Sequence, residues 1–186
     1  GIRCMTALLQ HSAAAVMALL LGLATVPAVA DTREAIEAKS DAALDDLRRY
    51  SPGVKALLKK ARGVLVFPDL VDMGFGAGGQ YGEGALLVDG EPVAYYASSA
   101  GPAELPPGAT RAAKVILFMT MDALVSFRNT VGWQVGLHGE VDLVQTAGGN
   151  VRLARARHPV LALSFSDKGI IEGADLNGST INRIAR

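Results

Sequence analysis

Carboxylates, histidines and lysines are the side chains through which this sequence could do chemistry. Glu83, Glu140, Asp142, Glu172 and Asp175 fall in or beside runs of strand character, and two such groups meeting across a barrel can divide into an acid and a base. Charges in those places more commonly keep sheet edges from associating, and the sequence favours that role. Asp69 and Asp72 border a glycine-rich turn where calcium would find oxygen ligands, yet the regular acidic ladder of a calcium loop is missing. His138 and His158 do not have the spacing of a zinc site. His138 reads as a structural or surface histidine, with a pH-sensitive contact as the lesser alternative. There is no G-x-S-x-G elbow to anchor a serine hydrolase. These patterns point away from an enzyme, and no metal or cofactor is expected.

Cations are better organised. Lys55, Lys59, Lys60 and Arg62 occupy one side of a short segment in which Val54, Leu57, Leu58 and Ala61 keep the i, i+3, i+4, i+7 spacing of an apolar stripe. The reading with more weight is a core-facing stripe under a solvated lysine face, its charges suited to the helix C-terminus. The sharper reading is contact with an anionic surface, because basic amphipathic helices gain from acidic lipid headgroups. Over the whole chain 18 basic residues balance 18 acidic ones, so bulk charge gives no argument for nucleic acid.

A third pattern is made of glycine. In MGFGAGGQYGEGALLV, from Met73 to Val88, glycine falls on Gly74, Gly76, Gly78, Gly82 and Gly84, all even. Side chains alternate faces along a strand, so this series strips one face and invites the close approach of a backbone, helix or ligand. The segment also satisfies GxGxxG, but strand character continues through QYGEGALLV, so the helix that a dinucleotide loop needs does not follow.

The elements that must position these groups can be taken in order. Residues 1–30 hold an apolar run, Ala13 to Val26, ending in Ala28-Val29-Ala30, the features of an export signal cleaved after Ala30. The alternative is a buried or membrane-anchoring helix. Cleavage would remove the only cysteine, Cys4, and leave a periplasmic or secreted chain without thiols. Asp31 to Tyr50 reads as a helix with Asp31 and Glu34 as a capping box, and Ser51-Pro52 opens a second helix ending at Gly63 as its C′ residue. The period then changes to two: Val64 to Phe67 is a strand stopped by Pro68, and the glycine strand joins EPVAYY through an Asp89-Gly90 type I′ turn. Ser98 to Ala113 is a proline-rich loop, and Lys114 to Met119 is a strand. Thr120 caps a helix over Met121 to Arg128, facing Ala123, Leu124 and Phe127 inward. Val131, Trp133, Val135 and Leu137 predict one bulky strand face. Pro159 to Ser166 and Gly169 to Leu176 predict a hairpin, and Ile181 to Ile184 a last strand. The sum is one α+β domain over residues 31–186, helical to 62 and mainly β beyond. Two N-terminal helices pack on a strongly curved, antiparallel, barrel-like sheet with one further short helix.

At these spacings, KARGVLVFPDLVDMGFGAGGQYGEGALLV, VAYYASSAG, KVILFMTMDALVSFRN, GWQVGLHGEVDLV and PVLALSFSDKGIIEGADLNGSTINRI together resemble the SYLF domain family, from about Leu44 to Ile184. The resemblance implies a lipid-binding domain whose amphipathic N-terminal segment takes part in membrane contact. On that footing Lys55, Lys59, Lys60 and Arg62 are the headgroup candidates, and an anionic phospholipid surface is the implied partner. The chain departs from the family in carrying Asp72 and Met73 where a basic residue usually precedes G-F-G, and SSAGPAELPPGA where a further strand is usual. Actin binding belongs to the eukaryotic branch and is not expected here. The alternative is an envelope domain that is structural or binds a protein partner, with no lipid ligand.

Overall fold

The computed structural model describes residues 30–72, 79–101, 112–147, 150–152, 157–171 and 178–186; the export-signal expectation lies outside them. Residues Asp31–Arg186 form one compact unit.

Helix α1 spans Arg33–Tyr50 and buries Ile36, Ala43, Leu44 and Leu47 along one stripe. Its cap is Thr32, whose hydroxyl accepts the Ala35 N–H at 3.2 Å. The expected capping box on Asp31 does not form, because that carboxylate takes the Lys39 ammonium at 2.7 Å. Tyr50, which continues the helical spacing of that stripe, is 40% exposed and donates to the Asp167 carbonyl. Helix α2, Pro52–Lys60, begins at Ser51 as expected and ends at Ala61 in extended backbone. Gly63 is therefore not a helix C′ residue. It opens the first strand, where a Cβ would stand 2.7 Å from Leu124 Cδ1.

Among the described residues nine strands make one curled half-barrel. In chain order they are β1 Gly63–Asp72, β2 Gln80–Val88, β3 Glu91–Ala100, β4 Ala112–Phe118, β5 Trp133–Gln134, β6 Asp142–Leu143, β9 Val160–Ser166, β10 Gly169–Ile171 and β11 Thr180–Ile184. A separate hairpin pairs β7, Gln145–Ala147, with β8, Asn150–Arg152. The order across the sheet is β10-β9-β4-β1-β2-β3-β11-β5, and all neighbours in it are antiparallel; β6 adds a short parallel pairing to β9. The β2–β3 connection is the expected two-residue turn, with Asp89 at φ 54° and Gly90 at φ 88°.

Strand limits differ from expectation in two places. Pro68 does not end β1; the strand runs through it by a bulge, and the register to both β2 and β4 shifts around it, which is how a sheet admits a residue without an N–H. Ser98 to Ala100 belong to β3 and Ala112–Ala113 to β4, where loop was expected. On either side of β5 the expected alternation fails. Gly132 at φ 62° and Gly136 at φ 85° turn the chain, leaving Val131 95% and Leu137 71% exposed.

Both faces of the central strands are covered, and β4 and β9 are buried at every position. On the outer face, α1 and α2 bury Ile36, Leu47, Val54 and Leu57 against Val66, Ala85, Leu87, Val115 and Leu163. The inner face holds Leu65, Phe67, Leu86, Tyr96, Ile116, Phe118 and Ile181. It is closed by helix α3, Met121–Asn129, capped by Thr120 as expected. Phe127 of α3 is the centre of that side, with Phe118, Tyr96 and Trp133 rings at 4.6, 4.9 and 5.5 Å.

Candidate functional site

The basic helix is the first place to look. Val54 and Leu57 of α2 are buried against the sheet, and Leu58 and Ala61 pack beside them, so the apolar stripe is consumed by the fold. Lys55, Lys59, Lys60 and Arg62 are all exposed, and none forms an ion pair among the described residues. Lys55 and Lys59, one turn apart, share a face. Lys59 also lines a groove of about 280 Å³ between α1, α2 and the β2–β3 turn. Asp41, Arg48 and Asp89 share that lining, so the groove is of mixed charge while the outward lysine face is basic.

The glycine strand has a different role from the one its pattern invites. Gly74, Gly76 and Gly78 lie outside the described residues. Gly82 and Gly84 are buried, and what lies against them is strand β1. A Cβ on Gly84 would stand 2.0 Å from the Val66 carbonyl oxygen and 2.8 Å from Phe67 Cδ1. One on Gly82 would stand 2.6 Å from the Asp69 carbonyl oxygen. The close approach comes from the chain's own bulged neighbour, so neither glycine offers a bare face to a ligand.

The carboxylates are mostly committed. Glu83 is held by the Arg186 guanidinium, with Nε at 3.2 Å from Oε2, and accepts the Tyr81 hydroxyl at 2.9 Å. Burial and this bond to Glu83 push the Tyr81 phenol up. Asp69 pairs with Lys39 at 3.2 Å rather than standing open to calcium. Glu140 and Asp142 meet through a histidine: His158 Nδ1 is 3.0 Å from Asp142 Oδ1, and its Nε2 is 3.9 Å from Glu140 Oε2. The second Asp142 oxygen accepts the backbone N–H groups of Arg157 and His158. Burial would raise this carboxyl, but the donors of His158 and Arg157 outweigh it and hold Asp142 below its ordinary value. Asp142 thus closes the turn into β9. His138 is exposed, and its Nδ1 accepts the Gln134 N–H at 3.0 Å, a turn-closing contact. Glu172 and Asp175 lie outside the described residues.

One group escapes a reading by motifs. Lys114 is 3% exposed, and among the described residues its ammonium has a single partner, the Ser179 hydroxyl at 3.3 Å. Burial, with no counter-charge among the described residues, pushes it down to about 8. The signal was in the sequence: one lysine opening the apolar run KVILFM, in a strand that the sheet buries on both faces.

No family model and no curated protein matches this chain.

Proposed function

We propose that this chain is a non-enzymatic lipid-binding protein of the cell envelope, periplasmic or secreted. In this reading it meets an anionic membrane face through Lys55, Lys59, Lys60 and Arg62. The observation that carries the reading is the state of α2: three exposed lysines on a helix whose apolar stripe is already buried, with Arg62 exposed just past its end, and none of the four in an ion pair among the described residues. A helix with a free apolar face would insert into the acyl boundary, whereas this one has only charge to offer. Contact is then electrostatic and lies at headgroup level. The glycine strand contributes by shaping the sheet that holds α2 in place, not by touching lipid at Gly82 or Gly84.

The test is sedimentation of residues 31–186 with vesicles containing phosphatidylglycerol. Each lysine near such a surface is worth about 1 kcal/mol. Changing Lys55, Lys59 and Lys60 together to Gln therefore removes about 3 kcal/mol, roughly a hundredfold in partition. Binding of the unaltered protein falls as the Debye length shrinks from about 10 Å at 0.1 M salt to about 3 Å at 1 M. Equal pelleting of the triple variant would remove α2 from the reading. No pelleting at any salt concentration would favour the alternative, a protein-binding or structural envelope domain.

A further inference from the structure

The second site is on the opposite face of the sheet from α2 and rests on separate observations. Lys114 of β4 touches Ser179, the residue before β11, at 3.3 Å. In the strand order these elements are four steps apart, about 19 Å in a flat sheet. The contact exists because the sheet curls, so the lysine crosses the mouth of the half-barrel at one rim. That rim is fixed by register: Leu70 pairs with Ala112, Ala112 with Ser166, Gln80 with Ala100, and Ser99 with Thr180. Lys114, Ser98, Ser164 and Ser179 all lie within three residues of these strand ends.

The rim is polar where the rest of the inner face is apolar. Ser98, Ser164, Ser179 and Gln80 are all buried. Lys114 has Phe67 opposite it on β1 and Ser164 opposite it on β9. No carboxylate of the described residues faces it, and burial alone depresses its affinity for a proton. The Ser98 hydroxyl is buried with no hydrogen-bond partner among the described residues. Ser98 pairs with Ile181, two residues from Ser179, so the two serines are diagonal neighbours on the inner face of β3 and β11, about 7–8 Å apart. One small anion can bridge that span by accepting a hydrogen bond at each of its oxygens.

An ammonium and two hydroxyl donors, turned inward with no acceptor of negative charge among them, describe half of an interaction. We propose that the Lys114 rim of the half-barrel binds a single terminal carboxylate, held by the Lys114 ammonium and the hydroxyls of Ser179 and Ser98. Charge selects the chemistry. One lysine neutralises one carboxylate, while a phosphate monoester at neutral pH would leave excess negative charge buried. The carboxylate can come from a free small acid or from the acid end of an acyl chain.

The test uses the full chain, with butyrate and laurate as the two carboxylates and inorganic phosphate as the control. Binding is read from thermal stability and from the NMR titration of the Lys114 side chain. A bound carboxylate favours the ammonium, so the Lys114 midpoint rises from about 8 towards the ordinary 10.5. Lys114→Met abolishes the stabilisation by carboxylate. Ser98→Ala, which removes a hydroxyl with no partner and leaves the fold intact, weakens carboxylate binding roughly tenfold. Response to butyrate and laurate alike supports the site and makes it indifferent to chain length. Response to laurate alone supports it and assigns an acyl-chain acid, and response to butyrate alone a free small acid. The proposal is overturned if neither acid moves the Lys114 midpoint, if Lys114→Met responds as the unaltered protein does, or if phosphate matches the carboxylates.

Discussion

Gly84→Ala asks whether the glycine strand exists for the sake of its neighbour. The added Cβ would lie 2.0 Å from the Val66 oxygen and 2.8 Å from its carbonyl carbon. Both are backbone, so no rotamer change relieves the clash. The β1 and β2 chains must part by about 1 Å, enough to break ladder bonds between them at about 1 kcal/mol each. Overpacking adds about 1–3 kcal/mol, and the stiffer unfolded chain returns about 0.4–1. The net loss is about 3 kcal/mol, which at about 2–4 °C per kcal/mol lowers the melting temperature by roughly 6–12 °C. Gly82→Ala meets the Asp69 carbonyl oxygen at 2.6 Å and Leu70 Cδ2 at 2.9 Å, and should cost less because its backbone clash is shallower than the 2.0 Å one at Gly84 and the leucine tip can move. Gly101→Ala is the control, with nothing within 4 Å of the new methyl and an expected change within about 0.5 kcal/mol. Urea denaturation of the three variants measures the order, with unchanged slope marking a change of stability alone. If Gly84→Ala matches Gly101→Ala, β1 does not press on this strand and the explanation of the glycine pattern fails.

Two pH-dependent predictions follow from the titrating groups. Lys114 is pushed from 10.5 down to about 8, so the folded protein holds fewer protons than the unfolded chain between those values and the group's burden falls as pH rises through them. At roughly 1.4 kcal/mol per pH unit the burden below pH 8 is about 3 kcal/mol. Lys114→Met should therefore be more stable than the unaltered protein at pH 7 by up to that amount, and the difference should fade by about pH 10.5 in paired denaturation curves. Asp142 is held below its ordinary 3.8, so its contribution is present above that value and lost as pH falls through the depressed folded one. Asp142→Ala leaves the Arg157 and His158 N–H groups without their acceptor and should cost about 1–2 kcal/mol at pH 7, a difference that narrows in acid.

What could be read from the sequence was whatever local chemistry decides. Thr120 capping α3, the Asp89-Gly90 turn and the apolar stripe of α2 each depend on residues within a turn of one another. What could not be read depends on neighbours distant in sequence. Pro68 looked like a strand end because the bulge that admits it is set by β2 and β4. Gly63 looked like a helix stop because the reason for it, Leu124, lies sixty residues on. Val131 to Leu137 has the period of a strand, but positive φ at Gly132 and Gly136 leaves only Trp133–Gln134 in the sheet. The even glycines did signal close approach, yet alternation alone cannot say whether a ligand or a neighbouring strand does the approaching.

Lys114 was overlooked for a related reason. Charge in a strand is usually weighed as an edge or surface matter, and by that rule one lysine among KVILFM means little. The rule changes when a strand has sheet neighbours on both sides, helices on its outer face and a curled interior on the other, because no position then reaches water cheaply. In such a strand each polar side chain is held by a partner or waits for one. Glu83, on the outer face of β2, is the first kind, since Arg186 and Tyr81 meet it. Lys114, with one neutral hydroxyl and an unsatisfied serine close by, is the second. The contrast separates the two surfaces of the molecule: α2 carries cations that water already satisfies and that act by attraction at a distance, whereas the rim holds one cation whose environment improves only when an anion enters.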